Sequence, residues 1–152
     1  MKFRPTYLYG YASAIVDFCT FVNNRNYSLP SSIKSVITTS EVLTPSMRKL
    51  IENCTGVKVF NEYGCGEVGS IAHECEAGNL HTMDDNLIVE VDNTDGKSGE
   101  LIVTDLYNYA TPLIRYRVRD YATKSNSTCS CGRQLGLLTN CLLYTSDAAD
   151  DP

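Results

Sequence analysis

The chain has 152 residues, 43% of them apolar, and a formal net charge of −5, enough apolar material for one domain with its own core. With 13 Lys and Arg against 18 Asp and Glu, it lacks the basic balance of a nucleic-acid binder, and no apolar run is long enough to span a membrane. The N-terminus MKFRPTYLYGY has no uninterrupted apolar secretory core, and seven Cys at uneven spacing, two as a tight CSC, read as reduced thiols of a cytoplasmic protein, some of them metal ligands.

From Gly10 to Arg25, the residues Ala14, Ile15, Phe18, Cys19 and Val22 fall on one helical face, which predicts an amphipathic helix. NNRNYSLPSS follows as a loop, and IKSVITTS as a strand rich in β-branched residues. Thr44 before Pro45 reads as an N-cap and first-turn proline, opening the helix PSMRKLIENC, which should stop near Gly56. VKVFNEY is the next strand. Helix, strand, helix, strand predicts a parallel α/β layer.

After Gly69 the pattern changes. NLIVEVD and ELIVTDL read as an antiparallel hairpin about the polar turn NTDGKSG. PLIRYRVRD alternates, with Ile114, Tyr116 and Val118 on one face and Arg115, Arg117 and Arg119 on the other. Alternating basic residues on a strand usually form a solvated or ion-paired face, and that is the reading adopted for them. TKSNSTCSCGR is a polar loop with two Cys. The parallel α/β layer thus continues into a small antiparallel β part.

Between the two parts lies VKVFNEYGCGEVGSIAHEC, with a literal GxGxxG at Gly64, Gly66 and Gly69. One reading is a dinucleotide turn, with Val68, Ile71, Ala72 and Cys75 as a helical stripe and Asp92 as the ribose acid. A short hairpin loop after Asp92, where a second crossover helix is needed, speaks against it. Another reading takes Tyr63-Gly64-Cys65-Gly66-Glu67 as a unit. Here an aromatic stacks on a base, glycines admit phosphates, and one carboxylate holds the magnesium ion a nucleotide brings. The plainest reading is a tight turn with an exposed Glu.

Cys75, His81, Cys129 and Cys131 offer three thiols and one imidazole, a usual structural zinc set. The ion would tie the β part to its polar loop. His73, only two residues from Cys75, is a poorer ligand by reach. The competing reading is unpaired buried thiols with a loop His, which suits Cys19 on the apolar face of the first helix.

Together, YGxxE after a strand, PLIRYRxRD some fifty residues on, and CxCGR beyond it resemble the adenylate-forming acyl ligases. The most similar group is the phenylacetate–coenzyme A ligases and their capsule-biosynthesis homologues. RPTYLYGYAS, VITTSEVLTP and IAHECEAGNLH share the resemblance, which covers nearly all of Lys2 to Arg133. It implies an α/β fold, a fragment of the large N-terminal domain of an adenylate-forming enzyme. Residues 1–69 would be its nucleotide-binding part, and 70–140 its antiparallel part with the zinc site.

The implied chemistry has a small carboxylic acid, aryl acids among the candidates, attack the α-phosphate of ATP to give an acyl-adenylate and pyrophosphate. The acyl group then passes to a thiol, commonly that of coenzyme A. By the same resemblance Tyr63 stacks on adenine, the backbone at Ser40 and Glu41 lines its other side, and Asn61 reads its edge. Glu62, Gly64 and Gly66 complete the nucleotide turn, Glu67 is the catalytic residue and holds Mg2+, and Asp120 accepts from the ribose hydroxyls. Many relatives carry the Cys/His pattern, which supports zinc.

Gly66 departs from the family, where Thr or Ser is common. The family's phosphate loop lies upstream of this segment, and its hinge and adenylation lysine downstream, so this stretch alone is expected to be inactive. A non-catalytic zinc-stapled module is the alternative in a different class, with a dinucleotide-dependent oxidoreductase behind it. The end of the chain, CLLYTSDAADDP, resembles a translated sequencing adapter. Residues 141–152 are therefore read as a non-native tail, and its Asp147, Asp150 and Asp151 supply three of the five net negative charges.

Overall fold

In YLYGY, Leu8 and Gly10 turn to one side while Tyr7, Tyr9 and Tyr11 stay more than half exposed on the other. This stretch forms strand β1 (Tyr7–Tyr11) in the computed structural model, which describes residues 3–93 and 98–142. Two compact units are present, one ending at Gly64 and one beginning at Cys65.

In the first unit β1 is followed by α1 (Ala12–Asn24), β2 (Ser35–Thr39), α2 (Pro45–Thr55) and β3 (Val59–Cys65). The strands are parallel in the order β1-β2-β3, with Tyr9 beside Ile37 and Ile37 beside Phe60. Ile15 and Cys19 of α1 and Ile51 of α2 pack on Val36 and Val59 of the strands as one apolar cluster. The expected parallel α/β layer is present, with one strand more than the sequence reading held. Gly10 and Tyr11, assigned to the first helix, belong to β1. The buried stripe of α1 is Ala12, Ile15, Cys19 and Val22, whereas Ala14 and Phe18 are exposed. Which arc of the helix is buried depends on where the sheet lies, and these two sit on the flank of the stripe.

Helix termini follow the local chemistry. Thr44 Oγ1 accepts from the Met47 N–H at 3.2 Å, Pro45 occupies the first turn, and Gly56 ends α2 at φ 71°. Helix α1 has no such cap of its own, because Tyr11 occupies that position. Glu41 supplies it from the loop after β2: its carboxylate accepts from the Ser13 N–H at 2.8 Å and the Ser13 hydroxyl at 2.9 Å. Glu41→Ala should therefore cost about 1 kcal/mol and lower the midpoint of thermal unfolding by a few degrees. An unchanged melting curve would mean the cap contributes nothing.

The second unit contains β4 (Gly69–Glu74), β5 (Leu80–Thr82), β6 (Leu87–Asp92), β7 (Gly99–Asp105), β8 (Tyr116–Ser125) and β9 (Leu137–Leu142). Their order is β4-β5-β9-β8-β7-β6, antiparallel throughout. The expected hairpin is β6–β7, paired from Leu87 with Asp105 to Asp92 with Glu100; residues 94–97 of its turn lie outside the described residues. Leu87, Val89, Leu101, Val103, Ala122 and Leu138 are buried in this unit.

Three readings are corrected here. Strand β8 starts at Tyr116 rather than Pro112, because Arg115 takes φ 51° and Ile114 is 76% exposed. Thr123, Lys124 and Ser125, read as loop, extend β8. After the glycines comes strand β4, where the dinucleotide reading needs a helix, so Val68, Ile71, Ala72 and Cys75 form no helical stripe. Ile71 and Ala72, neighbours on opposite faces of β4, are both fully buried. Strand β9 includes Cys141 and Leu142, the first two residues of the adapter-like stretch; 143–152 lie outside the described residues. Among the described residues, no helix is long and apolar enough to cross a membrane.

Candidate nucleotide turn and metal centre

The first unit gathers its candidate residues toward the carboxyl ends of β2 and β3, where parallel α/β sheets usually bind ligands. Ser40 directly follows β2 with φ 63°, a left-handed conformation that a non-glycine residue adopts only when its surroundings impose it. Asn61 Oδ1 accepts from the Thr38 hydroxyl at 3.2 Å. Glu62 Oε1 accepts from the Tyr9 hydroxyl at 2.9 Å and the Thr39 hydroxyl at 3.1 Å, and this carboxylate pushes the Tyr9 phenol above its usual range. Tyr63 is only 4% exposed. Its ring has no open face here, so stacking on a base requires the atoms that cover it to move aside.

The chain leaves β3 at Cys65 and enters β4 at Gly69, whose φ of 81° suits glycine. A Cβ added at Gly66 would meet nothing within 4 Å, so the Ser or Thr of relatives would fit there. Glu67 is exposed at the tip of this turn. Its carboxylate is held below the usual range first by its own backbone N–H, then by the Cys65 thiol and the Tyr116 hydroxyl. The Tyr116 hydroxyl donates to Glu67 Oε1 at 3.2 Å.

The sequence reading gave Tyr116 no role. The available signal was its place in RYR, four residues before Asp120 on what became one strand. Asp120 is half-buried on β8. Its charge, after burial itself, helps push the Cys141 thiol up to about 11.

Arg115 pairs with Glu90 at 3.1 Å, while Arg117 pairs with Asp92 at 2.8 Å and also with Glu100. Asp92, the ribose acid of the dinucleotide reading, is thereby engaged by an arginine. These pairs lie at the surface and contribute little to stability.

The four residues of the candidate zinc set come from two turns and a strand. Cys75 opens a turn closed by hydrogen bonds from Gly78 N to Cys75 O and from Cys75 N to Asn79 O, each 2.9 Å. Cys129 and Cys131 sit on a second turn, closed from Gly132 N to Cys129 O at 3.1 Å. Gly78 and Gly132 have φ of 78° and 84°, a conformation glycine adopts without a steric penalty. His81 lies on β5, opposite Leu137 of β9.

Their ligand atoms all fall within 4.8 Å of one another. Cys75 Sγ and Cys129 Sγ are 3.6 Å apart, and Cys131 Sγ lies 3.3 Å from His81 Nε2. A tetrahedral zinc ion with ordinary bond lengths needs edges of about 3.8 Å between sulfurs and about 3.5 Å between sulfur and nitrogen. Donor set and spacing therefore fit zinc.

Surrounding groups act on Cys129 and Cys131 in opposite directions. The Asn79 amide donates to Cys129 Sγ at 3.3 Å. Cys131 is drawn down to about 6, first by the Arg133 backbone N–H and, against burial, by the Arg133 guanidinium, which is itself anchored on Glu76 at 2.8 Å. For Cys129 the Cys131 N–H acts downward, but burial and the neighbouring thiols leave it raised. His81 Nδ1 is the one buried side-chain polar atom among the described residues with no hydrogen-bond partner.

No protein-family profile matches the chain. Among curated proteins it is similar to Protein CapK of Staphylococcus aureus, at 30% identity over 125 residues, covering 82% of this chain and 28% of CapK. It is similar also to phenylacetate–coenzyme A ligase of Thermus thermophilus, at 32% over 113 residues, covering 67% of this chain and 25% of that enzyme. The chain thus spans 28% and 25% of the lengths of these relatives. Among solved structures, an open conformation of a 2-hydroxyisobutyryl-CoA ligase in complex with 2-HIB-AMP and CoA shares the fold. The TM-score is 0.79 at 20% identity, covering 89% of this chain and 32% of that one. An anthranilate CoA ligase in complex with anthranoyl-AMP gives 0.64 at 14% identity, covering 90% and 29%. The chain therefore shares its fold with part of these coenzyme A ligases.

Proposed function

The chain belongs to the adenylate-forming acyl ligases, and from that premise we propose that the protein containing it joins a small carboxylic acid to coenzyme A. In the first step a carboxylate oxygen of the acid attacks the α-phosphorus of ATP, and the bond to pyrophosphate breaks. In the second, the coenzyme A thiol attacks the acyl carbon; AMP departs and the thiol proton is lost to solvent. The observation that carries the reading is Glu67. It is an exposed carboxylate, oriented by two side chains, at the tip of a glycine turn in a chain 32% identical to a phenylacetate–coenzyme A ligase.

Two anions must meet in the first step, so catalysis depends on offsetting their charge. Glu67 would hold Mg2+, and that ion, when bound, neutralises phosphate oxygens. Asp120 accepts from the ribose hydroxyls, and Ser40, Glu41, Asn61 and Glu62 with Gly64 and Gly66 form the wall against the base and phosphates. Tyr63 offers adenine its ring once uncovered. Cys75, His81, Cys129 and Cys131 would hold zinc, which staples the two turns and leaves the chemistry to the nucleotide turn. Three thiolates and one imidazole around a divalent ion leave a net −1, which the Arg133 guanidinium offsets. Thiols kept reduced for such a site would support a cytoplasmic location.

The substrate class follows the curated relatives: phenylacetate in the name of those ligases supports a small aryl acid. Exchange of labelled pyrophosphate into ATP by the complete polypeptide, measured across a panel of aryl and short aliphatic acids, tests this. Exchange that depends on one of the acids is expected. Exchange with none would overturn the assignment in favour of a zinc-stapled module without catalysis.

A further inference from the structure

We propose that Tyr116 is a positioning residue, holding the Glu67 carboxylate in the orientation that receives the metal–nucleotide complex. The inference rests on the reading of Glu67 given above.

Glu67 stands exposed on the turn between Gly66 and Gly69, outside any strand that would fix its side chain. A carboxylate in such a place samples several orientations, and a ligand must freeze one of them. Tyr116 removes that freedom from a rigid base. It is half-buried on β8, in register with Val103 of β7, and its hydroxyl donates to Glu67 Oε1 at 3.2 Å. The Cys65 thiol engages the same carboxylate. A carboxylate has about four acceptor sites, so these contacts leave lone pairs for a cation. Tyr116 lies four residues before Asp120 on the same strand. One strand therefore carries both the brace on Glu67 and the candidate ribose acceptor, and a displacement of β8 would disturb both.

Binding measured by calorimetry on the complete polypeptide separates the possibilities. Four proteins are compared, the wild type, Tyr116→Phe, Glu67→Gln and the double variant, each with ATP plus Mg2+ and with ATP plus a chelator. Phe keeps the ring and removes only the hydroxyl. Loss of an orienting partner of a metal ligand typically weakens binding roughly tenfold. Tyr116→Phe should show that loss for Mg2+-ATP, with metal-free ATP binding and the unfolding midpoint unchanged. In the double variant it should add nothing to Glu67→Gln, because the hydroxyl acts on the metal only by orienting a carboxylate charge that Gln no longer carries.

If Glu67→Gln weakens Mg2+-ATP and Tyr116→Phe does not, the positioning role is wrong while the reading of Glu67 stands. If Glu67→Gln binds Mg2+-ATP like the wild type, the reading of Glu67 falls and this inference with it. Equal loss with and without metal in Tyr116→Phe would mark a fold defect and overturn the positioning role.

Discussion

Replacing Glu67 by Gln in the complete polypeptide should lower acid-dependent pyrophosphate release by about 100-fold or more, with the fold intact. The carboxamide has nearly the same shape and keeps an oxygen to accept from Tyr116, so the contact at 3.2 Å survives. What disappears is the negative charge. A neutral amide is a poor ligand for Mg2+, and without the ion the triphosphate repels the incoming carboxylate. The expected signature is a higher Mg2+ requirement, with partial recovery at high Mg2+, and an unfolding curve matching the wild type. Pyrophosphate release at the wild-type rate would remove Glu67 from the chemistry.

Withdrawal of zinc from the reduced chain should be the largest effect on stability. Structural zinc sites couple binding energy of many kcal/mol to folding. The segment at stake, between β8 and β9, contributes Cys129 and Cys131 to a small cluster with Cys75 and with Leu137 of β9, and little else that is apolar. We expect one zinc per chain by elemental analysis, and a chelator-induced fall in the unfolding midpoint of about 10 °C or more. Cys129→Ser should reproduce that loss, and Cys54→Ser, which alters a thiol outside the cluster, should not. Metal-free protein whose midpoint ignores chelator would end the zinc assignment and leave three thiols clustered for packing alone.

Sign matters for the pH dependence of that site. Metal binding needs thiolate, and Cys131 is drawn down to about 6 while Cys129 is raised. Protons therefore compete with the ion, and acidification should release it.

Legibility differed by element. Helix α2 could be read to its ends, because Thr44, Pro45 and Gly56 act within one or two turns of their own backbone. Strands β4, β5 and β9 could not. Strand β5 is three residues long, too short for alternation to register, and both β5 and β9 are defined by partners distant in sequence. In α1 the apolar period was legible, yet the buried arc excluded Phe18, since the sheet rather than the helix decides which arc is covered. For the candidate sites, Cys75, His81, Cys129 and Cys131 could be grouped by residue type, because few side chains share that ligand chemistry. Tyr116 could not be linked to Glu67, because a phenol beside a carboxylate 49 residues away leaves no local pattern.

The sequence by itself determined the alternation of helix and strand in the first unit and the β6–β7 hairpin, since each is written in short-range periodicity and capping residues, and its motifs carried the resemblance to the acyl ligases. Tertiary structure alone decided that a strand follows the glycines, that Glu41 caps α1, and that Tyr116 braces Glu67. Each of these is a contact between groups far apart in the chain, and its free energy appears only after the intervening segments have folded.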